Sequence, residues 1–190
     1  MENIGTKSRI KEVILDLMKR KPIDRIKVTE IIEVLQVSRS TFYLYFDSVF
    51  DAVQEIEDDL IAGIEPIKKA IMSYPFLDQY FMEPHPGIIE ILNYSKNNYD
   101  SLSTLFGMYG DSVFVHKCKK MIQQVFFEKA INEKYIKLND EHGKFALVFM
   151  VGGHLELVFY WIKNGLEMSD DELAILVYRM MFGAWRSNLF

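Results

Sequence analysis

The sequence is short of the residues that build most catalytic and extracellular machinery. One cysteine, Cys118, stands alone in 190 residues, so no disulfide can close within the chain. A reducing, cytoplasmic setting is the expectation that follows. The four histidines, His85, His116, His142 and His154, show no HxxxH or HExxH spacing, and Cys118 has no CxxC mate. No metal centre is expected from them. "HKCKK" (His116–Lys120) reads more simply as a solvated basic helix face. A glycine-rich phosphate loop and a nucleophile elbow are both missing. The chain therefore offers no catalytic residue and no cofactor site to nominate, and it is read as a non-enzyme. The opening "MENIGTKSRIKEVI" also lacks the apolar core of a secretion signal.

Long apolar runs are scarce as well, with one exception. "FALVFMVGGHLELVFYWI" (Phe145–Ile162) is long enough to cross a bilayer. It carries His154 and Glu156 near its centre and the pair Gly152-Gly153, and no basic cluster flanks it. An acidic residue at that depth costs about 2.5–3.5 kcal/mol on insertion scales. A helix apolar on most sides is equally the mark of burial, which is the expectation here. Positive charge is in short supply overall, the net charge being −5. It is unevenly spread: residues 1–46 hold nine Lys and Arg against six Asp and Glu, and the acidic excess lies beyond them. A basic head on an acidic body suits nucleic-acid binding, and chance asymmetry suits it no less.

What is present is helical period. Ile10, Val13, Ile14, Leu17 and Met18 share one face. "KRKPIDRIK" breaks it, with Pro22 as the stop. Val28, Ile31, Ile32 and Leu35 form a second, short face; "QVS" interrupts; a third helix runs from Ser38 to about Tyr45, with Ser38 as its N-cap. Asp47 or Ser48 opens a fourth, striped by Val49, Val53, Ile56, Leu60 and Ile64, which Pro66 should kink or end. Residues 73–87 read as irregular with at most a short helix. Further helices are expected at 88–97, 100–106, 112–136 and 140–164, opened by Asp140 and closed by Asn164-Gly165. A last one follows the capping box Ser169–Glu172, with Leu173, Leu176, Val177, Met180, Met181 and Ala184 on one face. The fold class is all-α: a three-helix head, a linking helix and a helical bundle, about nine helices altogether.

Within this pattern "SRSTFYLYF" (Ser38–Phe46) is unusual, with four aromatics, three hydroxyls and an arginine in nine residues. Helix two, a tight turn and helix three have helix-turn-helix spacing. In such a motif the second of the pair enters the major groove of DNA with its N-terminal residues on base edges. Phe42 and Phe46, at i and i+4, can pack on Val13, Leu17 and Ile31. Ser38, Arg39, Ser40 and Thr41 lead the helix, where short donors and a guanidinium meet bases or phosphates. Tyr43 and Tyr45 project to other sides, within reach of phosphate. A three-helix core with incidental aromatics accounts for the same spacing.

"IKVTEIIEVLQVSRSTFYLYFDSVFDAV" resembles the DNA-binding domain of the tetracycline-repressor (TetR) family of bacterial transcription regulators. "NYSKNNYDSLSTLFGMYGDSVF" and "FMVGGHLELVFYWIKNGLEMSDDEL" resemble, more loosely, one type of its C-terminal domain. The resemblance implies a ligand-controlled homodimer, most often a repressor, with a DNA-binding domain at 1–47 and a ligand-binding and dimerisation domain at 48–190. It implies that Ser38, Arg39, Ser40 and Thr41 face the groove and that Tyr43, Lys7 and Arg9 contact phosphate. Three positions depart from the pattern. A phosphate-touching lysine is replaced by Val49. The capping threonine of helix two is replaced by Lys27, with Thr29 near enough to substitute. The turn reads Leu35-Gln36, where glycine suits a positive φ. These departures raise an alternative: a regulator with a weakened head that acts through a partner protein. A small helical enzyme or carrier is a third, remoter reading.

The apolar helix needs more partners than one chain supplies. Phe145, Phe149, Gly152, Leu155 (or Glu156) and Phe159 are expected to face their own chain, and the opposite side a second copy. A dimer through helices 140–164 and 169–186 would cover the apolar surface. An effector, a small molecule of unknown identity, would sit inside the body. Phe81, Tyr94, Phe106, Tyr109, Phe126 and His154 are the candidate lining residues, each of which plain core packing also explains. His154 and Glu156 are two apart and should point to different sides of their helix.

Overall fold

The computed structural model describes the backbone of residues 2–75, 78–134, 141–164 and 168–186, and their side chains except those of 2–4, 78, 81 and 181–186. Among these residues there are nine α-helices and no strand: α1 (Glu2–Met18), α2 (Val28–Leu35), α3 (Arg39–Tyr43), α4 (Val49–Ser73), α5 (Pro86–Asn97), α6 (Tyr99–Leu105), α7 (Ser112–Asn132), α8 (Glu141–Lys163) and α9 (Asp170–Arg186). Single 3-10 turns lie at Ile23–Arg25 and Asp78–Phe81. The all-α class expected from the sequence is the class observed. The chain divides into two compact units, residues 1–62 with 100–114, and residues 63–99 with 115–190.

In the first unit α1 packs on α2 and α2 on α3. The apolar face of α1 is centred on Ile14: Ile10, Ile14, Leu15 and Met18 are buried, while Val13 and Leu17 lie half-buried at its edges. Ile31 and Leu35 of α2, Phe42 and Phe46, and Val49, Ala52, Val53, Ile56 and Leu60 of α4 complete the core. Each fully buried side chain of this size contributes roughly 1.5–3 kcal/mol relative to exposure. The later part of α4, from residue 63, belongs to the second unit, where Ile64, Ile67 and Ile71 are buried.

Of the two expected effects of Pro66, a kink or an end, the end does not occur, since Pro66 lies inside α4. Proline deletes one backbone hydrogen bond and crowds the turn before it, at a cost near 3 kcal/mol. Burial of Ile64, Ile67 and Ile71 around it offsets that cost. A second difference is the start of α5 at Pro86, two residues before the apolar stripe at Ile88. Proline is preorganised for the first helical position, and His85 caps the helix through Nδ1, which accepts from Gly87 N–H at 3.1 Å. The helix expected to end at Ile136 is described only as far as Asn132, with Lys134 at φ 63° in the exit. Asp140, Gly165 and the expected end at Ile136 lie outside the described residues.

In the second unit α5 packs on α8 and α9, and α8 on α9. The capping box at the head of α9 is formed: Ser169 Oγ accepts from Glu172 N–H at 3.4 Å, and Glu172 Oε2 accepts from Ser169 N–H at 3.3 Å. α8 is the one described helix long and apolar enough to cross a bilayer, and half of that window is buried inside the protein. Its faces differ from expectation. Leu155 and Phe159 are buried, but Phe145 is 72% and Phe149 78% exposed. The buried stripe is Leu147, Met150, Val151, Leu155, Val158 and Ile162. The open one runs Phe145, Phe149, Gly153, Glu156, Tyr160, at the spacing of one helical face. The expected inward set combined residues from both. Gly152 and Gly153 have open space where a Cβ would stand.

Candidate nucleic-acid interface

The turn before α3 is made by an unusual residue. Gln36 takes φ 55°, ψ 43°, the left-handed region. The N–H groups of Gln36 and Val37 both turn back to the Ile32 carbonyl, which closes the end of α2. Glycine was the residue type expected there, and the backbone adopts the glycine conformation without it. At the other end of α2 the N-cap is Lys27, whose side chain has no acceptor. Glu30 takes over half of that role, accepting from Lys27 N–H at 3.0 Å. Its carboxyl is held below the usual range, first by a hydrogen bond from Lys21 and then by that backbone donor. Thr29 sits exposed inside the first turn and does not cap.

Ser38 then caps α3, accepting from Thr41 N–H at 3.1 Å. Its Oγ lies 2.7 Å from Ser40 Oγ and 2.8 Å from Thr41 Oγ1. The three hydroxyls form one cluster at the leading end, with Ser38 and Ser40 exposed and Thr41 half-buried. Arg39 is exposed and folds along the helix toward Tyr43. Its guanidinium lies 5.6 Å from the Tyr43 ring centroid, and Nη2 donates to the Tyr43 hydroxyl at 3.4 Å. The sequence had placed these two groups separately; the structure makes them one i, i+4 unit. Behind this face Phe42 is wholly buried, with the Tyr43 ring edge-on at 5.5 Å and Phe46 at 6.1 Å. Tyr45 is half-buried.

Arg9 is exposed and makes no ion pair among the described residues. Lys7 does: its Nζ is 2.6 Å from Glu55 Oε2 and 5.3 Å from the Phe46 ring centroid. Val49 is buried, and the start of α4 around it is acidic and self-capped. Asp51 N–H donates to Ser48 Oγ at 3.1 Å, and Asp51 Oδ2 accepts from Asp47 N–H at 3.0 Å. Neither Glu55 nor Asp51 was nominated from sequence. Asp51 could have been, since Ser48–Asp51 has capping-box spacing. Glu55 could not, because its partner lies on another helix.

The candidate effector residues separate. Phe106, stacked on Phe114 at 5.8 Å, and Tyr109 belong to the first unit. Tyr94, Phe126 and His154 belong to the second. The Phe81 side chain lies outside the described residues. Phe126 and His154 do meet, around an apolar cavity of about 30 Å³ with Ile88, Ile122, Val151 and Val177. That volume suits about one water molecule. His154 bridges α8 to α9: Nδ1 faces the Met150 carbonyl and Nε2 the Val177 carbonyl at 2.9 Å. Burial pushes its pKa below the ordinary value, against the pull of the two carbonyls. Glu156, on the other side of the helix, is exposed and lies 3.5 Å from Lys119. A larger groove of about 580 Å³ opens between α8 and α9, lined by Leu157, Tyr160, Trp161, Met168, Leu173 and Leu176 among others. No group of His, Cys, Asp and Glu among the described residues is arranged to hold a metal ion.

Residues 82–183 match the TetR-type family described as "Transcriptional regulator C-terminal region". The chain belongs to the TetR family of transcriptional regulators. A stretch of 60 residues is 33% identical to the uncharacterized HTH-type transcriptional regulator YxbF of Bacillus subtilis (strain 168). That stretch is 32% of this chain and only 16% of YxbF. Solved TetR-family structures share the fold. A TetR transcriptional regulator from Streptococcus agalactiae 2603V superposes with a TM-score of 0.61 at 20% identity, over 95% of each chain. A TetR-family regulator from Streptomyces coelicolor gives 0.61 at 13% identity, over 95% of this chain and 82% of that one. The dihydroxyacetone kinase operon activator DhaS gives 0.55 at 17% identity, over 97% and 96%. TetR regulators are not enzymes, in keeping with the lack of catalytic motifs in the sequence. Identities this low speak for the fold.

Proposed function

We propose that this TetR regulator is a cytoplasmic, ligand-responsive homodimeric repressor whose head, residues 1–47, binds operator DNA and whose body, residues 48–190, dimerises and binds a small-molecule effector. The observation that carries the reading is the division of labour in α3. Phe42 and Phe46 are buried while Ser38, Arg39, Ser40 and Tyr43 stand exposed on one short helix. Arg39, Ser40 and Thr41 meet base edges; Tyr43, Tyr45, Lys7, Arg9 and Thr29 serve the phosphates. The open stripe of α8 faces a second copy, because a Phe145–Phe149 surface left in water invites association. Two-fold symmetry then sets half-sites about one helical turn of DNA, or a multiple, apart. The effector acts by favouring one of two dimer geometries, and the small His154 cavity is a place where the body can open around it.

The start of α4 favours a second reading, in which the head is weakened and the protein acts with a partner regulator. Val49 is buried and Asp47 and Asp51 are anionic, so this corner repels phosphate where a lysine would attract it. One test serves both readings. The purified protein is titrated with the DNA upstream of its own gene across a salt series. Selective binding supports the first; no selective binding at low salt refutes it and leaves the second.

A further inference from the structure

Both oxygens of Glu55 on α4 are engaged by lysines of α1. Lys7 Nζ lies 2.6 Å from Oε2 and Lys11 Nζ 2.7 Å from Oε1. Lys11 has a second carboxylate, Asp59, also at 2.7 Å. Lys7 instead rides over the ring of Phe46, the residue that closes the α3 segment. Its charge is thus parked against the end of the candidate reading helix.

The two lysines are not equivalent. The Lys11 side chain is 18% exposed and doubly held, whereas that of Lys7 is 38% exposed and has one carboxylate. Lys7 can therefore leave without stranding Glu55, which keeps Lys11. Exposed ion pairs of this kind contribute little to folding, so holding Lys7 there is not needed for stability. A phosphate oxygen offers the ammonium the same charge-assisted hydrogen bond that the carboxylate does.

Resting on the reading of α3 as a DNA-binding surface, we propose that Glu55 is an intramolecular competitor for phosphate. It holds Lys7 in the free protein, yields it to the DNA backbone on binding, and so sets the affinity and salt dependence of the head. A lysine drawn from Glu55 releases a counterion from the DNA, but Glu55, left with Lys11 alone, gives up one of its two ion pairs, and the net gain is small. Without the Glu55 charge the full step of about 0.9 in log K against log salt returns, per protomer. Near 0.1 M salt that corresponds to roughly 3- to 10-fold in affinity.

The test uses the full chain as wild type, Glu55→Gln, Lys7→Ala and the double variant. Each is titrated by fluorescence anisotropy with a labelled upstream duplex at several salt concentrations, after thermal melts show that it is folded. Glu55→Gln, with two such pairs in the proposed dimer, binds about 10- to 100-fold tighter than wild type with a steeper salt slope. Lys7→Ala loses the phosphate contact and binds more weakly than wild type, and the double variant matches Lys7→Ala because Glu55 then has no Lys7 to withhold. Binding by Glu55→Gln that is unchanged or weaker overturns the proposal while leaving the DNA-binding reading intact. A gain that survives in the double variant also overturns it, since general loss of negative charge would then be the cause. Binding by neither wild type nor Glu55→Gln removes the DNA-binding reading and the proposal with it.

Discussion

Replacing Gln36 with glycine should stabilise the helix-turn-helix. The left-handed conformation at φ 55°, ψ 43° crowds the Cβ of an L-residue, a cost of about 1–2 kcal/mol. Gln36 is exposed, and its side chain makes no hydrogen bond among the described residues, so little is lost with it. Glycine also frees the unfolded chain, which takes back about 0.5–1 kcal/mol. The net gain is about 0.5–1 kcal/mol. For a chain of this size that raises Tm by roughly 1–4 °C. Two companions separate causes: Gln36→Ala keeps the crowded Cβ and removes the rest, and Gln36→Asn introduces the side chain that best tolerates this region. The expected order of stability is glycine, asparagine, then alanine and wild type together. Hydrogen exchange at the α2 and α3 amides localises the gain. A glycine variant no more stable than wild type, or an alanine variant as stable as the glycine variant, refutes the account of the turn.

Acid should destabilise the second unit through His85. Its Nδ1 accepts from Gly87 N–H, so the folded state uses the neutral ring, and burial pushes its pKa down to about 4. Lys129 lowers it further, while Glu133 and the Tyr74 backbone pull upward. The unfolded chain takes the proton first, so stability falls as pH drops from about 6.5 toward 4, by up to about 3 kcal/mol. Urea midpoints should show a flatter pH profile for His85→Asn, which keeps a cap without the titration. Gly63→Ala places a Cβ 2.6 Å from Tyr94 Cε2 and Oη and should cost about 1–3 kcal/mol; Tyr94→Ala in the same chain should recover part of it in denaturant melts. If the proposed dimer forms through the open stripe of α8, Phe149→Lys should be monomeric in light scattering after size exclusion where the wild type is dimeric, and a variant that stays dimeric moves the interface elsewhere.

Much of the head was legible because its signals are local. The Ser38 cap, the Ile14-centred face and the buried Phe42–Phe46 pair all follow from spacing along one helix. At Gln36 the family resemblance left two outcomes, a strained positive φ or a different turn, and the structure has the positive φ. The Lys7–Glu55 pair was not, because nothing in either helix alone indicates which carboxylate a lysine will meet. The two faces of α8 were illegible for a different reason. Phenylalanine occurs on both, so hydrophobicity gives no contrast with which to orient the helix. An end of α4 at Pro66 does not occur because the local cost is outweighed by burial of Ile64, Ile67 and Ile71, which spacing around a proline does not reveal. The effector residues were nominated by type alone, and aromatic type does not distinguish two units of one chain.

The central claim is that α3 reads DNA through Arg39 and its neighbours. The most direct measurement is the ratio of affinities for the upstream duplex and a scrambled duplex of equal length, for wild type and Arg39→Ala at one salt concentration. The account predicts a wild-type preference of roughly a thousandfold or more. It predicts that Arg39→Ala gives up about 1–3 kcal/mol of that discrimination. Equal affinity of the wild type for both duplexes, or a preference unchanged by Arg39→Ala, contradicts it.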